Sequence, residues 1–439
     1  MRGIEIEKET TSLDIPLKDI EFDPYRSALT DRLKTQIEEV RLQVRDYESY
    51  FQTRRRKRKP QDEEIFRETI SALICDLIYC YLRNPEQKVC LQLSNRHLGI
   101  KSRYRPRALG KTLPYILRIL SSPELGFICM KIGTIREQWP GEERESSRAT
   151  TIWPDSKLIK RIHVSGITLV DFGRKPEEEV IELRQTKHYH KKNERSVSYA
   201  DTDVTNRYRA EVKTINHWLG CADIECDAPG RDIDSRNRHL HRIFNNNSFE
   251  QGGRLFGGFW LPMNKEWRSY IRIDNNPIVE LDYAQMFLRL CYGVVGREPP
   301  LGDLYDIPAL TGRGAARNGI KKVINAFFFS DKRLSRLPKG VRRYFPQSLR
   351  CEDILVAVEE YHKSVAHLLF ANMGMRLMFL ESKILVTSLL TLIDKGITAL
   401  PIHDALLVSH RDKDIARQVM LDSFKSIGGV EGKVTLKET

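Results

Sequence analysis

From Glu63 to Leu82 the apolar residues Ile65, Ile70, Leu73, Leu77 and Tyr81 recur at helical spacing, so an amphipathic helix is predicted there. A second helix, rich in Arg, Gln and Glu, is predicted over residues 30–59, after an extended leader over residues 1–30. It is expected to end in the basic run Arg54 to Lys59, with Pro60 as its stop. Beyond Leu82 come a short apolar run, Val89 to Leu93, a helix near Ser94, the basic stretch Lys101 to Arg107, and a helix over Ala108 to Leu120 interrupted by Pro114. The runs Leu125 to Ile132 and Ala149 to Trp153 read as strands either side of a polar loop, Glu137 to Arg148. Ile162 to Val170 reads as a strand and Thr205 to Leu219 as a helix. Met, Leu and Phe repeat at helical spacing from Leu355 to Ile393, the pattern of core-covering helices.

Three helices followed by a hairpin resemble a winged helix, in which the third helix enters the major groove and the wing touches backbone. Arg103, Arg105, Arg107, Lys111 and Arg118 would then face duplex DNA. A small helical domain with basic residues in solvent fits the same pattern. The basic run Arg54 to Lys59 has two readings of similar weight, a solvated segment and a set of phosphate contacts without sequence preference.

Bulk composition narrows the classes. The chain has 439 residues, 41% hydrophobic and 30% charged, enough for two or three domains with their own cores. Mean hydropathy is −0.44 and no run of eighteen apolar residues occurs, which excludes a helical membrane span. Met1 to Asp14 lacks the apolar region of a secretory signal. A net charge of +13 suits a polyanionic partner. The eight cysteines form no CxxC pair and are expected to be buried, reduced thiols of an intracellular protein.

Chemistry gathers in three segments of the second half. In Ile278-Val279-Glu280-Leu281-Asp282-Tyr283-Ala284-Gln285 an apolar run ends in a carboxylate before a helical pattern. That places Asp282 at a strand tip, with the Tyr283 carbonyl as a second oxygen ligand for a hard cation such as Mg²⁺. In Arg317 to Phe329 the cations Arg317 and Lys321 are four apart and share a helix face, with Asn325 one turn further on. Two cations on one stripe suit a triphosphate. In Ile397 to Val408 apolar residues flank His403-Asp404, which reads as a hairpin with the polar pair at its turn. Each segment alone has a plainer reading: a helix N-cap, an exposed basic face, a tight turn.

Together, in this order, they resemble motifs A, B and C of family A DNA polymerases, the Pol I-like group, over roughly Arg254 to Val408 and including Gly302-Asp303-Leu304-Tyr305. Leu281 to Gln285 matches motif A, Arg317 to Phe329 motif B, and Pro401 to Asp404 motif C. The resemblance implies that Asp282, Tyr283 and Asp404 hold two Mg²⁺ ions (or Mn²⁺), that Arg317, Lys321, Lys322 and Asn325 bind the nucleotide, and that His403 positions the primer end. Arg254 and Arg268 are candidates for primer or template phosphate by charge and position. The implied reaction is primer extension on template DNA with deoxynucleoside triphosphates.

The departures are informative. Phe287 stands where the family has the Glu that excludes a 2′-hydroxyl, and a bulky ring there is an alternative gate. Ala405 replaces the Glu after the motif C Asp, Asn325 the base-stacking aromatic, Phe329 a Tyr and Ser330 a Gly. Lys321 and Lys322 compete for one role, and Lys321 is favoured because it keeps Arg317 on its face. No clustered carboxylates of an exonuclease domain precede these motifs, so proofreading is not expected. The fold implied is α+β: residues 1–60 a basic leader and helix, 61–160 a winged-helix-like DNA-binding domain, 161–250 a reduced thumb, and 251–439 a right-hand polymerase palm with fingers. A cytoplasmic, nucleoid-associated plasmid, phage or mobile-element enzyme is expected. Two other readings remain: a single-subunit RNA polymerase or primase-like enzyme, and a DNA-binding initiator with an inactive palm.

Overall fold

The computed structural model describes residues 19–54, 56–134, 148–186 and 196–438, and the chain divides into two compact units, Met1–Glu178 and Glu179–Thr439. Both are mixed α+β, as the patterning predicts.

The first unit is built round α2 (Pro60–Arg83), which is buried on nearly every side from Phe66 to Cys80. Pro60 starts this helix instead of stopping the one before it, since a first-turn position needs no N–H donor. α1 (Asp31–Tyr50) therefore ends ahead of the basic run; its stripe Leu33, Ile37, Val40 and Val44 is buried. A four-stranded sheet joins β1 (Ile20–Glu21), β3 (Val89–Leu91), β5 (Thr150–Pro154) and β4 (Ile128–Lys131) in that order. A separate pair links β2 (Arg26–Ala28) with β6 (Phe172–Arg174). β1 lies parallel to β3, and the other pairs are antiparallel. The expected hairpin is thus present, while residues 137–147 of its polar loop lie outside the described residues. Between β3 and β4 lie α3 (Asn95–Leu98) and α4 (Leu113–Leu120). The helix expected from Ala108 begins only at Leu113, so that Pro114 falls in its first turn.

Ile162 to Val170, expected as a strand, is not one. α5 (Ser156–Val164) covers its start, with Leu158 and Ile162 buried, and a 3-10 turn covers Leu169–Asp171. An apolar run this short carries no periodicity that separates strand from helix. The unit boundary also differs from the expected one at 160/161, because α5 and β6 complete the first unit's core.

The second unit carries two sheets. In the larger, β13 (Ala399–Ile402), β14 (Ala405–Ser409), β12 (Asn276–Tyr283), β11 (Ile271–Ile273) and β8 (Ile224–Cys226) follow one another, and β15 (Val434–Glu438) also pairs with β12. The smaller joins β10 (Gly252–Gly257), β9 (Leu240–Phe244) and β7 (Ile181–Leu183). The antiparallel pairing of β9 with β10 spans residue 250, so the expected boundary at 250/251 would cut a hairpin. α6 (Asp203–Cys221) contains the helix expected over Thr205 to Leu219, and its Thr202 cap accepts the Thr205 N–H. Around the sheets lie α7 (Lys265–Arg268), α8 (Met286–Val294), α9 (Pro308–Thr311), α10 (Arg317–Phe328), α11 (Cys351–Tyr361), α12 (Gly374–Asp394) and α13 (Lys413–Gly428). α12 packs against α13, α8, α6 and β10. α8 and α13 touch through glycine: a Cβ on Gly293 would stand 1.6 Å from the Gly428 carbonyl oxygen.

His362 is wholly buried; its Nε2–H donates to the Leu304 carbonyl (2.9 Å) and its Nδ1 accepts from the Tyr292 hydroxyl (3.0 Å). Burial lowers its pKa, so the ring stays neutral and structural. All eight cysteines are free thiols, but only Cys75, Cys80, Cys226 and Cys291 are buried; Cys90, Cys129 and Cys351 are half-buried, and Cys221, at the last position of α6, is exposed. Among the described residues no helix is long and apolar enough to cross a membrane.

Candidate active site

β12 is buried from Ile278 to Leu281 and again at Tyr283, with Asp282 half-buried between them, as in a central strand covered on both faces. The Tyr283 hydroxyl donates to the Met420 carbonyl at 2.7 Å, which fixes the end of the strand from behind. Glu280 and Asp282 are left on the other face. In the antiparallel ladder Asp282 stands opposite Ala405, the first residue of β14. The β13–β14 hairpin turns through His403 and Asp404, with His403 at φ 53°, a left-handed conformation that histidine adopts more readily than most residues. The Tyr283 N–H donates to the Asp404 carbonyl at 3.1 Å. Two carboxylates 122 positions apart (404 − 282) are thereby set beside each other at one sheet end.

Other charges converge on them. Lys437 on β15 donates to Glu280 at 3.1 Å and to Asp282. The Arg268 guanidinium stands 3.7 Å from Glu280, and its Nε is buried with no partner among the described residues. Burial raises the Asp282 pKa, the Lys437 contact opposes this, and the nearby Asp404 and Glu280 charges add to it. Glu381, on α12, is almost fully buried and accepts from Arg254 Nε at 2.6 Å. Burial pushes its pKa up to about 7, and Arg254 opposes while Asp404 and Asp282 add to the rise. His403 is held below its ordinary value by burial, then by Arg254, with Asp404 opposing.

Arg254 is aimed by a buried arginine. Arg242 on β9 donates to the Gly253 carbonyl (3.0 Å), Ser382 Oγ (3.2 Å) and Glu211 (2.9 Å), beside the rings of Tyr208 and Phe244. The irregular start of β10 leaves no room for a side chain at Gly253. It has φ 79°, and a Cβ there would lie 2.8 Å from Ser382 Oγ.

The predicted motif B helix is α10, and its first residue is tied toward β12. Arg317 makes a two-pronged contact with Asp303, whose Oδ1 also accepts from Gln285 Nε2 at 2.9 Å. Burial works against Asp303 ionising, but the Arg317 and Tyr305 N–H contacts bring its pKa below the ordinary value. Gln285 holds φ 61° where strand turns into helix α8. Lys322 is spent on the Tyr344 hydroxyl at 3.1 Å, while Lys321 is exposed with no partner among the described residues. Asn325 is half-buried one turn further along. Phe287, the second residue of α8, faces the end of α10, its ring 6.1 Å from that of Phe328 and 6.2 Å from that of Phe329.

Arg103, Arg105, Arg107 and Lys111 belong to the first unit, in the connection ahead of α4. Arg105 donates to the Leu109 carbonyl at 3.1 Å and Arg107 to Glu64 at 3.0 Å, so both are engaged within the unit. Lys111 is exposed and Arg103 half-buried.

Three charged residues of the cluster were not singled out from sequence. Glu280 is two positions before Asp282 and shares its face by strand period, a signal that was legible. Glu381 lies in an apolar helix, where a lone acid is a mark of a partner or a task. Lys437 carries no signal of its own.

No family model matches the chain, and no curated protein does. Among solved structures, the chain is similar to the POL domain of Pol1 from M. smegmatis in complex with a DNA primer-template and dNTP. The identity is 13%, the TM-score 0.28, and the match covers 53% of this chain and 50% of that one, about half of each. A likeness of that degree carries no weight, and the functional reading rests on the residues of the chain itself.

Proposed function

We propose that the chain is a template-directed DNA polymerase, extending a primer 3′-hydroxyl with deoxynucleoside triphosphates, and that the second unit is its palm and fingers. One observation carries this reading: the β12–β14 pairing sets Asp282 beside Asp404, the two residues that the sequence pattern singles out as metal carboxylates. The donor set fits a hard divalent cation, since Asp282, Asp404 and the Tyr283 carbonyl offer only oxygens and neither side chain serves as a helix cap. Two bound Mg²⁺ ions would acidify the primer hydroxyl and steady the leaving pyrophosphate.

The remaining roles belong to the chain's own groups. Arg317 and Lys321 project from α10 to receive the triphosphate, and Asp303 holds the Arg317 guanidinium in place until a phosphate competes for it. Arg254, Arg268 and His403 lie by the paired aspartates as candidates for the primer end. Phe287 is the candidate sugar gate, because its ring is braced by Phe328 and Phe329.

For the first unit the reading is a duplex-binding winged helix. Its support is the order helix, strand, two helices, hairpin, closed as a sheet β3–β5–β4.

The test is primer extension on a labelled primer–template with Mg²⁺, supplying dNTPs and rNTPs separately to the wild type, Asp282→Ala and Asp404→Ala. Extension by the wild type and its loss in both variants is expected. Tight DNA binding without extension would replace this reading with a DNA-binding initiator whose palm is inactive.

A further inference from the structure

The connection from α1 to α2 has a feature unrelated to the paired aspartates. Tyr50 closes α1 with 82% of its surface exposed, and Phe51 follows it at 44%. Large aromatic rings left in water at adjacent positions mark a surface kept for a partner. The two rings meet edge to face at 4.9 Å, and Tyr47 braces Phe51 from below at 4.5 Å. Immediately after them come Arg54, Arg56, Lys57 and Lys59, all exposed and all without an ion-pair partner among the described residues.

The segment is pinned. Glu48, itself buried, accepts from Arg58 Nη1 at 2.8 Å and from the Tyr115 hydroxyl at 2.8 Å. Arg58 lies over the Phe66 ring at 3.6 Å, with only 7% of its side chain exposed. Thr53 donates its N–H to the Glu48 carbonyl (3.2 Å), and its hydroxyl meets that of Tyr115 (3.1 Å). One member of the basic run is thus turned inward as an anchor, and its neighbours are presented outward. Ordering entropy that a free tail would lose on binding has already been lost here.

We propose that this connection is a binding site for single-stranded nucleic acid, with Tyr50 and Phe51 stacking on unpaired bases and Arg54, Arg56 and Lys57 on the flanking phosphates. Rings that accept any base, next to cations without sequence preference, are what a strand-tracking site requires. A duplex keeps its bases stacked inside and offers these rings nothing. The inference stands apart from the polymerase reading, and failure of primer extension would leave it untouched.

The test is fluorescence anisotropy with the full chain and labelled oligothymidylate, oligouridylate, a short duplex, and vesicles of anionic phospholipid. Both residues are exposed, so Tyr50→Ala/Phe51→Ala should keep the wild-type circular dichroism. It should weaken binding of both single strands by roughly five- to a hundred-fold while duplex affinity stays unchanged. Tyr50→Trp/Phe51→Trp should restore it. Arg54→Gln/Arg56→Gln/Lys57→Gln should lower the log–log salt slope for a single strand by about 2, from roughly 0.7 per phosphate contact. A preference between the two oligomers would say which strand is the natural one. Unchanged single-strand affinity in the double alanine variant, or binding that responds only to vesicles, would overturn the proposal.

Discussion

Arg254 Nε donates to Glu381 at 2.6 Å, and so a carboxylate buried in an apolar helix is joined to the arginine at the irregular start of β10. The bond does not fully offset burial, since Glu381 titrates near 7 instead of its ordinary 4.5. The folded chain therefore binds more protons than the unfolded one between those values. Stability from this group is fully present below about pH 4.5 and is lost as pH rises through about 7, by up to about 3 kcal/mol. Glu381→Gln, which keeps an acceptor for Arg254, should flatten that slope. Urea midpoints at pH 5 and pH 8, followed by tryptophan fluorescence, check it; a wild-type midpoint that does not fall toward pH 8 would remove the assignment.

The irregular start of β10 is specified by glycine. At Gly253 the φ of 79° and the 2.8 Å approach to Ser382 Oγ act together, whereas Gly230 has φ 68° and nothing within 4 Å. Gly253→Ala should cost about 2–4 kcal/mol, and Gly230→Ala only the backbone share, about 1 kcal/mol. Thermal or urea unfolding of the two variants side by side decides it. Equal losses would mean that Ser382 and Phe244 yield without resistance.

Lys321 and Lys322 are adjacent in sequence but differ in engagement, because Tyr344 holds Lys322 at 3.1 Å and nothing described holds Lys321. Arg317→Ala and Lys321→Ala should each raise the nucleotide KM by roughly ten- to a hundred-fold with primer–template affinity unchanged. Lys322→Ala should stay within about two-fold of wild type. A larger effect at Lys322 than at Lys321 would shift the phosphate role by one residue.

How much of this was readable in advance depends on what each residue type advertises. Asp282 and Asp404 stand out only because three segments occur together and in order, each alone having a plainer reading, and the strand-and-hairpin reading of their segments holds in the structure. Arg254 was visible as a charge but not its partner, since Glu381 lies 127 positions away within an otherwise regular apolar pattern. Arg242 was passed over as one of several basic residues; only tertiary packing shows that it is the fully buried one. The basic run Arg54 to Lys59 looked uniform, and the inward turn of Arg58 depends on Glu48 and Phe66, which no local pattern joins to it. Ile162 to Val170 does not declare its own structure, because a nine-residue apolar run is compatible with either period.

Phe287 provides a test of sugar selection. Its half-buried ring stands 6.1 Å from that of Phe328 and 6.2 Å from that of Phe329, and Phe329 in turn covers Gly374, where a Cβ would meet it at 2.4 Å. As the proposed gate, this ring would have to move to admit a 2′-hydroxyl. Phe287→Ala should therefore raise rNTP incorporation relative to dNTP by roughly ten-fold or more, about 1.4 kcal/mol of discrimination. Single-nucleotide extension with matched dNTP and rNTP measures it. Unchanged discrimination would place the gate elsewhere.

Lys437 faces Asp282 and Glu280 together, so one ammonium serves two carboxylates on the same face of β12. Burial disfavours its charge, but the two contacts more than compensate and raise its pKa, so it is a resident cation throughout the neutral range. A divalent ion approaching Asp282 meets that positive charge at close range and must share the carboxylate with it or displace it. Lys437→Met keeps the length of the side chain and removes the charge. It should strengthen Mn²⁺ binding by roughly ten-fold, because Asp282 then loses its competing ammonium while Arg268 stays beside Glu280. The same variant should unfold at lower urea when metal is removed by a chelator, since Asp282 then faces the Asp404 and Glu280 charges without its ammonium. The free Mn²⁺ signal in electron paramagnetic resonance reads the first effect directly, with no need for catalytic turnover. Weaker Mn²⁺ binding in Lys437→Met would reverse the interpretation: Lys437 would then be ordering the carboxylates for the metal instead of competing with it.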